Sequence, residues 1–300
     1  MSPAPTRACS EVSFESGEPL AGTASDAPLF AALSWPKVLW HHDDVALSEG
    51  LPAAIRELAG AAKRSGRKLQ LRLFQRTGRQ ATDPVELICA DFQRARTARI
   101  ADLPLARCAD AISEFLAGGG AGAPLERPLL LVCTDGKHDL CCGKLGRSIV
   151  SALRSDPQLD VAEVSHLGGH RLAANALSLP SGELYGRVAA ADAPALAEST
   201  RHGRVYLPRY RGRTGLDELA QVAEAAALAR FPNARHVRPG APRADGDVRI
   251  VPVELRDGDV PRRLAVRCVA RVFEVFASCG DLAPEPRARW IAQSSEEEKT

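Results

Sequence analysis

The sequence contains no apolar run long enough to span a membrane. Its longest, residues 128–133, holds four consecutive aliphatic side chains, whereas a membrane helix needs roughly 18 apolar residues. The first twelve residues include the acidic Glu11 and lack the apolar core of a secretory signal. No secretory or mitochondrial address is predicted, so we expect a cytoplasmic protein without a membrane partner.

The sequence also lacks an excess of charge of one sign and has few aromatic residues. Lys and Arg number 39 against 37 Asp and Glu, which leaves a net charge of +2, and aromatic side chains make up 5% of the chain. Proteins that bind nucleic acid carry a marked basic excess and often stack bases on aromatic rings. Nucleic acid is therefore not an expected partner.

The composition is that of a folded chain with an unusual supply of thiols. Hydrophobic residues make up 45% and charged residues 25% of 300 residues, enough for one large domain or two modest ones. There are eight cysteines. Because disulfides are disfavoured in the cytoplasm, these cysteines are expected to be metal ligands, reactive thiols or small buried side chains.

Composition breaks divide the chain into four segments. Residues 1–19 mix Ser, Pro, Glu and Gly and are predicted to be loose, and residues 291–300 are predicted to be a disordered charged tail. A glycine run at 118–122 is typical of a flexible joint. It separates a predicted scaffold half, residues 20–118, from a predicted functional half, residues 125–290.

The hydrophobic pattern predicts the same order of elements on both sides of this joint. Before it come a strand at 38–40, a helix at 51–62 and strands at 69–74, 85–89 and 98–101. After it come a strand at Leu129–Cys133, a helix at 143–153, a strand at 161–165 and a hairpin of 172–179 with 184–188. Helices at 193–200 and 216–230 and strands at 248–255 and 264–276 follow. The pattern indicates an α/β fold of two related halves of thioredoxin-like size.

Four side chains that commonly bind metals surround the first strands of the second half. Cys133 ends one predicted strand, Cys142 opens the following helix, and His166 and His170 follow the next strand. The carboxyl ends of neighbouring parallel strands lie at the same edge of a sheet, so these residues should meet there. Between the histidines, Gly168 and Gly169 would allow the backbone to approach a bulky cofactor because they lack a Cβ.

The donor set alone leaves the metal open, because two thiolates and two imidazoles suit zinc as well as iron. Spacing distinguishes the two. Structural zinc sites usually place about two to four residues between paired cysteines, whereas eight residues separate Cys133 from Cys142. A longer loop suits a two-iron cluster better, because the cluster occupies more space than one ion.

These residues resemble a known family. The run from Cys133 to Cys142 and the stretches 165–171 and 177–187 are similar to the sucrase/ferredoxin-like family, with weaker likeness at 18–24, 210–214 and 278–280. The resemblance implies a thioredoxin-like ferredoxin domain, extended by a C-terminal helix and strands. It also implies a 2Fe-2S cluster whose irons are held by Cys133 with Cys142 and by His166 with His170.

The resemblance implies an electron carrier rather than an enzyme with its own substrate. Because no dinucleotide-binding G-x-G-x-x-G joins a strand to a helix, the reductase or acceptor should be a separate redox partner protein. Two alternatives stay open. The same four ligands would hold zinc in a structural or interaction protein, or Cys141 and Cys142 would serve a thiol-disulfide oxidoreductase.

The remaining candidates near the site are expected to be passive. Cys141 is interpreted as a small buried side chain, and His138, within the cysteine loop, is expected to face solvent. Cys279 belongs to the weaker part of the family likeness and is a candidate for packing near the site. Cys9 is predicted to have no structural role.

Overall fold

The structure, a computed structural model, describes residues 7–41, 44–76, 78, 81–120 and 122–298, in which strands dominate a mixed α/β fold. The α-helices are α1 (Cys9–Glu15), α2 (Ala53–Arg64), α3 (Cys108–Leu116), α4 (Leu140–Leu153), α5 (Ala193–Arg201) and α6 (Glu218–Arg230). The strands are β1 (Leu29–Ser34), β2 (Leu69–Gln75), β3 (Val85–Asp91), β4 (Arg96–Leu103), β5 (Leu129–Cys133), β6 (Asp160–Val164), β7 (Ala176–Leu179), β8 (Glu183–Tyr185), β9 (Tyr210–Arg213), β10 (Arg235–Pro239), β11 (Arg243–Asp245), β12 (Val248–Asp257), β13 (Val260–Val275) and β14 (Glu285–Glu297).

The first nine strands form one sheet in which a strand order is repeated. The order is β4-β3-β1-β2-β6-β5-β7-β8-β9. In each half the first two strands are parallel and the third pairs antiparallel with the first. The halves join edge to edge through a short antiparallel contact of β2 with β6, at Phe74 with Val164 and Gln75 with Glu163. The division into domains at 118 and 125 stays a prediction.

Alternation along β5 explains how the sheet is covered. Leu130 and Val132 face one side and pack under α4 and α5, whereas Leu129, Leu131 and Cys133 face the other. All five are fully buried, as expected for a central strand with an apolar layer on each face. The strand therefore presents Cys133 on the face opposite its helices.

That second face is an apolar core shared by the two halves. Phe30 and Ile88 of the first half pack in the same cluster as Leu131 and Ala162 of the second. Cys133 and Cys142 belong to this cluster and are completely buried. Both cysteine side chains thus lie where the two parts of the nine-stranded sheet share one apolar layer.

The C-terminal strands form a separate five-stranded sheet. Its inner face packs on α6, with Val222 and Ala223 of the helix against Val251, Val266 and Cys268 of the strands. Strands β12 and β13 pair over nine positions in an antiparallel ladder. The sheet covers α6 rather than extending the nine-stranded sheet.

The structure differs from the sequence prediction at both ends of the chain. Residues 9–15 form α1, whose Cys9 and Ser13 are buried, although residues 1–19 were expected to be loose. The expected disordered tail is ordered as far as Glu297 because its polar residues pair along β13. Antiparallel pairing at a sheet edge needs backbone groups rather than apolar side chains, so composition gave no signal for it.

The glycine run between the halves is packed against neighbouring elements. Ala123 exchanges backbone hydrogen bonds with Arg99 of β4, and the Gly119 amide donates to the Glu114 carbonyl at the end of α3. At Gly122 a Cβ would lie 2.8 Å from the Cβ of Ala98. Close approach to β4 therefore accounts for glycine at 122.

Among the described residues, no helix is both long and apolar enough to cross a membrane. The cytoplasmic location stays a prediction.

Candidate metal centre

Strand β5 and helix α4 bring the two predicted cysteine ligands together. Cys133 is the last residue of β5, and Cys142 lies in the first turn of α4. Asp139 caps the helix by accepting a hydrogen bond from the Cys141 amide at 2.8 Å. This cap fixes where the loop ends and the helix begins, and hence where Cys142 points.

Strand β6 delivers the two histidines to the same edge. It runs parallel to β5, and Val164 at its end is in register with Cys133. His166 follows two residues later, and His170 begins a short 3-10 helix. The buried carboxylate of Asp135 accepts hydrogen bonds from the amides of His138 and His166, both at 3.3 Å, so it ties the cysteine loop to the histidine loop.

The donor atoms of these residues form two overlapping groups. Those of Cys133, Cys142 and His166 lie within 4.8 Å of one another, and so do those of His138, His166 and His170. The Cys142 Sγ is 3.9 Å from the His166 Nδ1. His166 thus connects a buried sulfur pair to a set of half-buried imidazoles.

His170 carries a buried nitrogen that no side chain or backbone group in the described part of the chain contacts by a hydrogen bond. Its Nδ1 is buried and has no hydrogen-bond partner among the described residues, whereas its Nε2 contacts the Ala277 carbonyl. An unsatisfied buried nitrogen is costly, and a metal ion would satisfy it. The Nε2 contact orients the ring, as outer-shell partners of metal-binding histidines do.

His138 is closer to the site than the sequence analysis expected. Its ring stacks on that of His166 with centroids 3.8 Å apart, and it lies 5.4 Å from the ring of His170. The side chain is half-buried rather than fully solvent-facing. The sequence showed that His138 lies in a tight loop between the two cysteines. It did not show which way the side chain points from that loop.

The electrostatics of the site favour the metal-binding protonation state at Cys133 and His166, whereas Cys142 would have to release its thiol proton when a metal binds. A hydrogen bond from the Cys142 thiol lowers the pKa of Cys133, and the same bond raises the pKa of Cys142. Burial lowers the pKa of His166 to about 2, with the neighbouring His138 and His170 acting in the same direction. The His166 imidazole is therefore neutral at physiological pH, the form that binds metals.

A half-buried arginine of strand β2, Arg72, acts electrostatically on the sulfur pair. Burial lowers the pKa of Arg72 to about 10, while the charge of Cys133 acts to raise it. The guanidinium is held by the Leu71 carbonyl at 2.7 Å, and its Nε has no hydrogen-bond partner among the described residues. At neutral pH the side chain is a fixed positive charge beside the sulfurs.

The two predicted glycines have different structural reasons to be glycine. Both adopt positive φ, +89° at Gly168 and +71° at Gly169. A Cβ on Gly169 would lie 2.6 Å from a guanidinium nitrogen of Arg211, whereas a Cβ on Gly168 would meet nothing within 4 Å. Arg211 donates to the Gly168 carbonyl at 2.9 Å, so the loop rests on this buried side chain. Cofactor contact by either glycine stays a prediction.

A second group of potential ligands lies at the start of α4. It consists of Cys9, Asp139, Cys141 and Cys279, all buried, with donor atoms within 4.8 Å of one another. The expectation that Cys9 has no structural role is wrong, because it packs with Cys141, Ala173 and Cys279. Cys141 and Cys142 are adjacent in sequence, but their sulfurs belong to different donor groups.

Comparison with known proteins places the chain in a family. The family model described as sucrase/ferredoxin-like matches residues 20–212. Among curated proteins, "Altered inheritance of mitochondria protein 32" of Eremothecium gossypii is 32% identical over 106 residues, which cover 30% of this chain and 34% of that protein. Its namesake in Debaryomyces hansenii is 31% identical over 99 residues, covering 29% and 36% of the two chains.

This chain therefore spans about a third of the length of the curated relatives that it matches. No solved structure shows significant similarity to it. The family match covers well over half of the chain and includes both cysteines and both histidines of the candidate site. The chain belongs to the sucrase/ferredoxin-like family.

Proposed function

We propose that this protein is a one-electron carrier that holds a 2Fe-2S cluster. Cys133 and Cys142 would hold the inner iron, and His166 and His170 the outer one. The observation that carries the proposal is the arrangement of the donors. A buried sulfur pair and half-buried imidazoles lie at one sheet edge, and the buried His170 Nδ1 has no hydrogen-bond partner among the described residues.

The spread of the four ligands favours a binuclear centre over a single zinc ion. Ligands of one tetrahedral zinc lie within about 4 Å of one another. Cys133, Cys142 and His166 come within 4.8 Å of each other, but His170 groups only with the other imidazoles. The four donors are thus spread along one direction, with sulfur at one end and nitrogen at the other. Such a spread suits two metal ions better than one.

The net charge of the bound cluster indicates the range of reduction potential that the site would support. Two thiolates and two neutral imidazoles around an oxidised 2Fe-2S core give zero net charge, whereas four thiolates would give −2. When bound, the cluster accepts one electron, and histidine ligation places such centres at about −150 to +300 mV. The depressed pKa of His166 supports neutral imidazole ligation in this chain.

The burial of the ligands supports an exit route for the electron on the histidine side. Cys133 and Cys142 have no exposed surface, while His166 and His170 are half-buried. Lys144 and Arg147 on the neighbouring helix α4 are exposed. We infer a separate redox partner protein that docks at this edge, with acidic side chains complementing these cations.

The fold interpretation belongs to the same proposal. The repeated strand order, with parallel first and second strands in each half, supports two thioredoxin-like halves. Only the second half carries the cysteine and histidine donors. The first half would act as a scaffold whose Phe30 and Ile88 bury the sulfur side of the site.

Metal analysis and electron paramagnetic resonance test the proposal. Protein purified without oxygen should contain about two iron and two acid-labile sulfide per chain and have a reddish-brown colour. The reduced form should give a spectrum with a lower average g value than all-sulfur clusters, and ¹⁵N-histidine labelling should change its nitrogen couplings. Absence of labile sulfide even after reconstitution with iron and sulfide would refute the proposal.

Substitutions distinguish the 2Fe-2S cluster from the zinc and thiol-disulfide alternatives. His166→Ala with His170→Ala should abolish iron binding, whereas His202→Ala, an exposed histidine on α5's C-terminal side, should not. A colourless protein with one zinc that depends on Cys133 and His166 would support the zinc interpretation instead. Thiol-disulfide exchange that survives in the double histidine variant would support the oxidoreductase.

A further inference from the structure

The second donor group joins three parts of the chain that are far apart in sequence. Cys9 lies in α1, Asp139 and Cys141 lie at the start of α4, and Cys279 follows β13. Their exposure is at most 8% of each residue's surface. None of these residues is a ligand of the proposed cluster, so the group requires its own explanation.

The three sulfurs form a small triangle. The Cys9 Sγ lies 3.6 Å from Cys141 Sγ and 3.4 Å from Cys279 Sγ, and the third side, Cys141 to Cys279, is 3.2 Å. Sulfurs bound to one tetrahedral zinc at about 2.3 Å lie about 3.8 Å apart. A shift of a few tenths of an ångström outward would bring all three sulfurs to ligand positions.

Asp139 supplies a fourth donor at the apex of this triangle. Both of its carboxylate oxygens lie 3.9 Å from the Cys9 Sγ. They accept backbone hydrogen bonds from Cys141 at 2.8 Å and from Cys279 at 3.1 Å, which fix the carboxylate in place. A carboxylate oxygen has a second lone pair left for a metal after each such bond.

The surroundings also suit a bound cation. The Ser10 hydroxyl donates to the Cys141 sulfur at 3.3 Å, which is the outer-shell support that metal thiolates usually receive. A pocket of about 190 Å³, lined by Ser10, Lys144 and two of the cysteines, leads from the surface to the group. It provides a path by which an ion can enter.

We propose that Cys9, Cys141, Cys279 and Asp139 form a mononuclear zinc site distinct from the cluster site. Three deprotonated thiols and a carboxylate make a closed tetrahedral set, and the charge of a divalent ion offsets their mutual repulsion. A disulfide between any two sulfurs would leave the third unpaired. The three sulfurs lie too close together to bind the different irons of an iron-sulfur cluster, so the site would hold a single ion.

The site would act as a clamp. It would hold α1 and the segment after β13 onto the start of α4, one residue before the proposed cluster ligand Cys142. The same segment presents the Ala277 carbonyl to His170. Metal bound here would thus set the positions of one sulfur ligand and one imidazole ligand without touching the cluster.

Zinc and iron should be measured together on the full chain, purified under reducing conditions and given a slight excess of zinc sulfate before desalting. We expect about one zinc per chain. Cys9→Ser and Cys279→Ser should each lower zinc at least tenfold, while Cys108→Ala, a buried cysteine outside both groups, should keep it. Cys133→Ser with Cys142→Ser should remove iron but leave zinc, which separates this site from the proposed cluster.

X-ray absorption at the zinc edge of the unaltered protein makes the test independent of whether variants fold. We expect three sulfur neighbours at about 2.3 Å and one oxygen at about 2.0 Å. Protein that holds no zinc after loading, zinc ligated chiefly by nitrogen, or a Cys141–Cys279 disulfide found by mass spectrometry in the anaerobic protein would overturn the proposal. Iron and acid-labile sulfide are measured separately on the same protein, so a failure of the zinc site is distinguished from a failure of the proposed cluster.

Discussion

Gly146 of helix α4 packs directly on the backbone carbonyl of Cys133, so that a Cβ at position 146 would overlap the carbonyl oxygen. One helical turn earlier, a Cβ on Gly143 would lie 2.6 Å from the Cα of Gly136 in the cysteine loop. The helix therefore approaches β5 as closely as backbone allows. This contact sets the distance between Cys133 and Cys142.

Gly146→Ala should move the helix away from the strand and separate the two sulfurs. Overpacking of this kind costs typically 1–3 kcal/mol, and we expect a fall of that size in the free energy of unfolding. The iron content after reconstitution should fall by more than half. Denaturant titration and iron analysis measure the two effects.

The matched control is Gly60→Ala in α2. A Cβ there meets only the flexible end of Arg64 at 3.0 Å, and alanine is the better helix former by roughly 1 kcal/mol. This variant should be as stable as the parent or more so, with normal iron. If Gly146→Ala behaves like Gly60→Ala, close packing of α4 on β5 does not set the sulfur geometry.

Single substitutions of His170 and His138 should have different effects on iron binding. His170→Ala removes the unpaired buried Nδ1, so it should abolish the mixed-ligand resonance spectrum and most of the iron. His138→Ala removes a ring that stacks on His166, so it should retain iron and shift the spectrum slightly. The opposite pattern would assign the fourth ligand to His138 and exclude His170.

The N-terminal segment is tied to the histidine loop by a buried ion pair that predicts a pH dependence. Glu18 has almost no exposed surface and contacts Arg171 at 2.7 Å and Arg289 at 3.0 Å. Burial alone would raise the pKa of Glu18, but the hydrogen bonds and charge of Arg171, with Ser13 and Arg289, hold it at about 2.

Because the folded-state pKa lies below the unfolded value of 4.5, this carboxylate stabilises the fold above about pH 4.5. The contribution is on the order of 3 kcal/mol and is lost as the pH falls from there toward 2. Glu18→Gln should lower the free energy of unfolding at pH 7 by an amount of this order, and the difference should shrink in acid. Glu15→Gln, at an exposed pair, should change it by less than about 1 kcal/mol. Equal stabilities of Glu18→Gln and the parent at pH 7 would contradict this prediction.

Much of the site region follows from local sequence pattern. The run of apolar residues predicted β5 with its observed bounds, and β6 and α4 were predicted to within three residues at each end. These elements are strongly apolar or amphipathic because they lie at the centre of the fold. Their parallel pairing then brings Cys133 and His166 to one edge by geometry alone.

The features that the sequence did not predict correctly share a physical cause, because each depends on contacts between residues far apart in the chain. The predicted strand at 38–40 is a 3-10 helix, Lys37–Leu39, and the first strand is Leu29–Ser34, whose alanines gave a weak signal. Cys9 and Cys279 meet across 270 positions in the sequence. No periodicity or spacing rule connects residues so far apart, so the second donor group became visible only in the folded chain.

Arg72 provides a test of the electrostatics around the sulfurs. Its positive charge lies beside Cys133 and lacks a carboxylate partner among the described residues, so it should favour the reduced, more negative state of a bound cluster. Arg72→Met should lower the reduction potential by tens of millivolts, because a charge in a buried site is weakly screened. Arg72→Lys should restore part of the shift, and Arg56→Met, at an exposed arginine on α2, should cause none. A potential that is the same in Arg72→Met and the parent would show that the guanidinium charge does not reach the site.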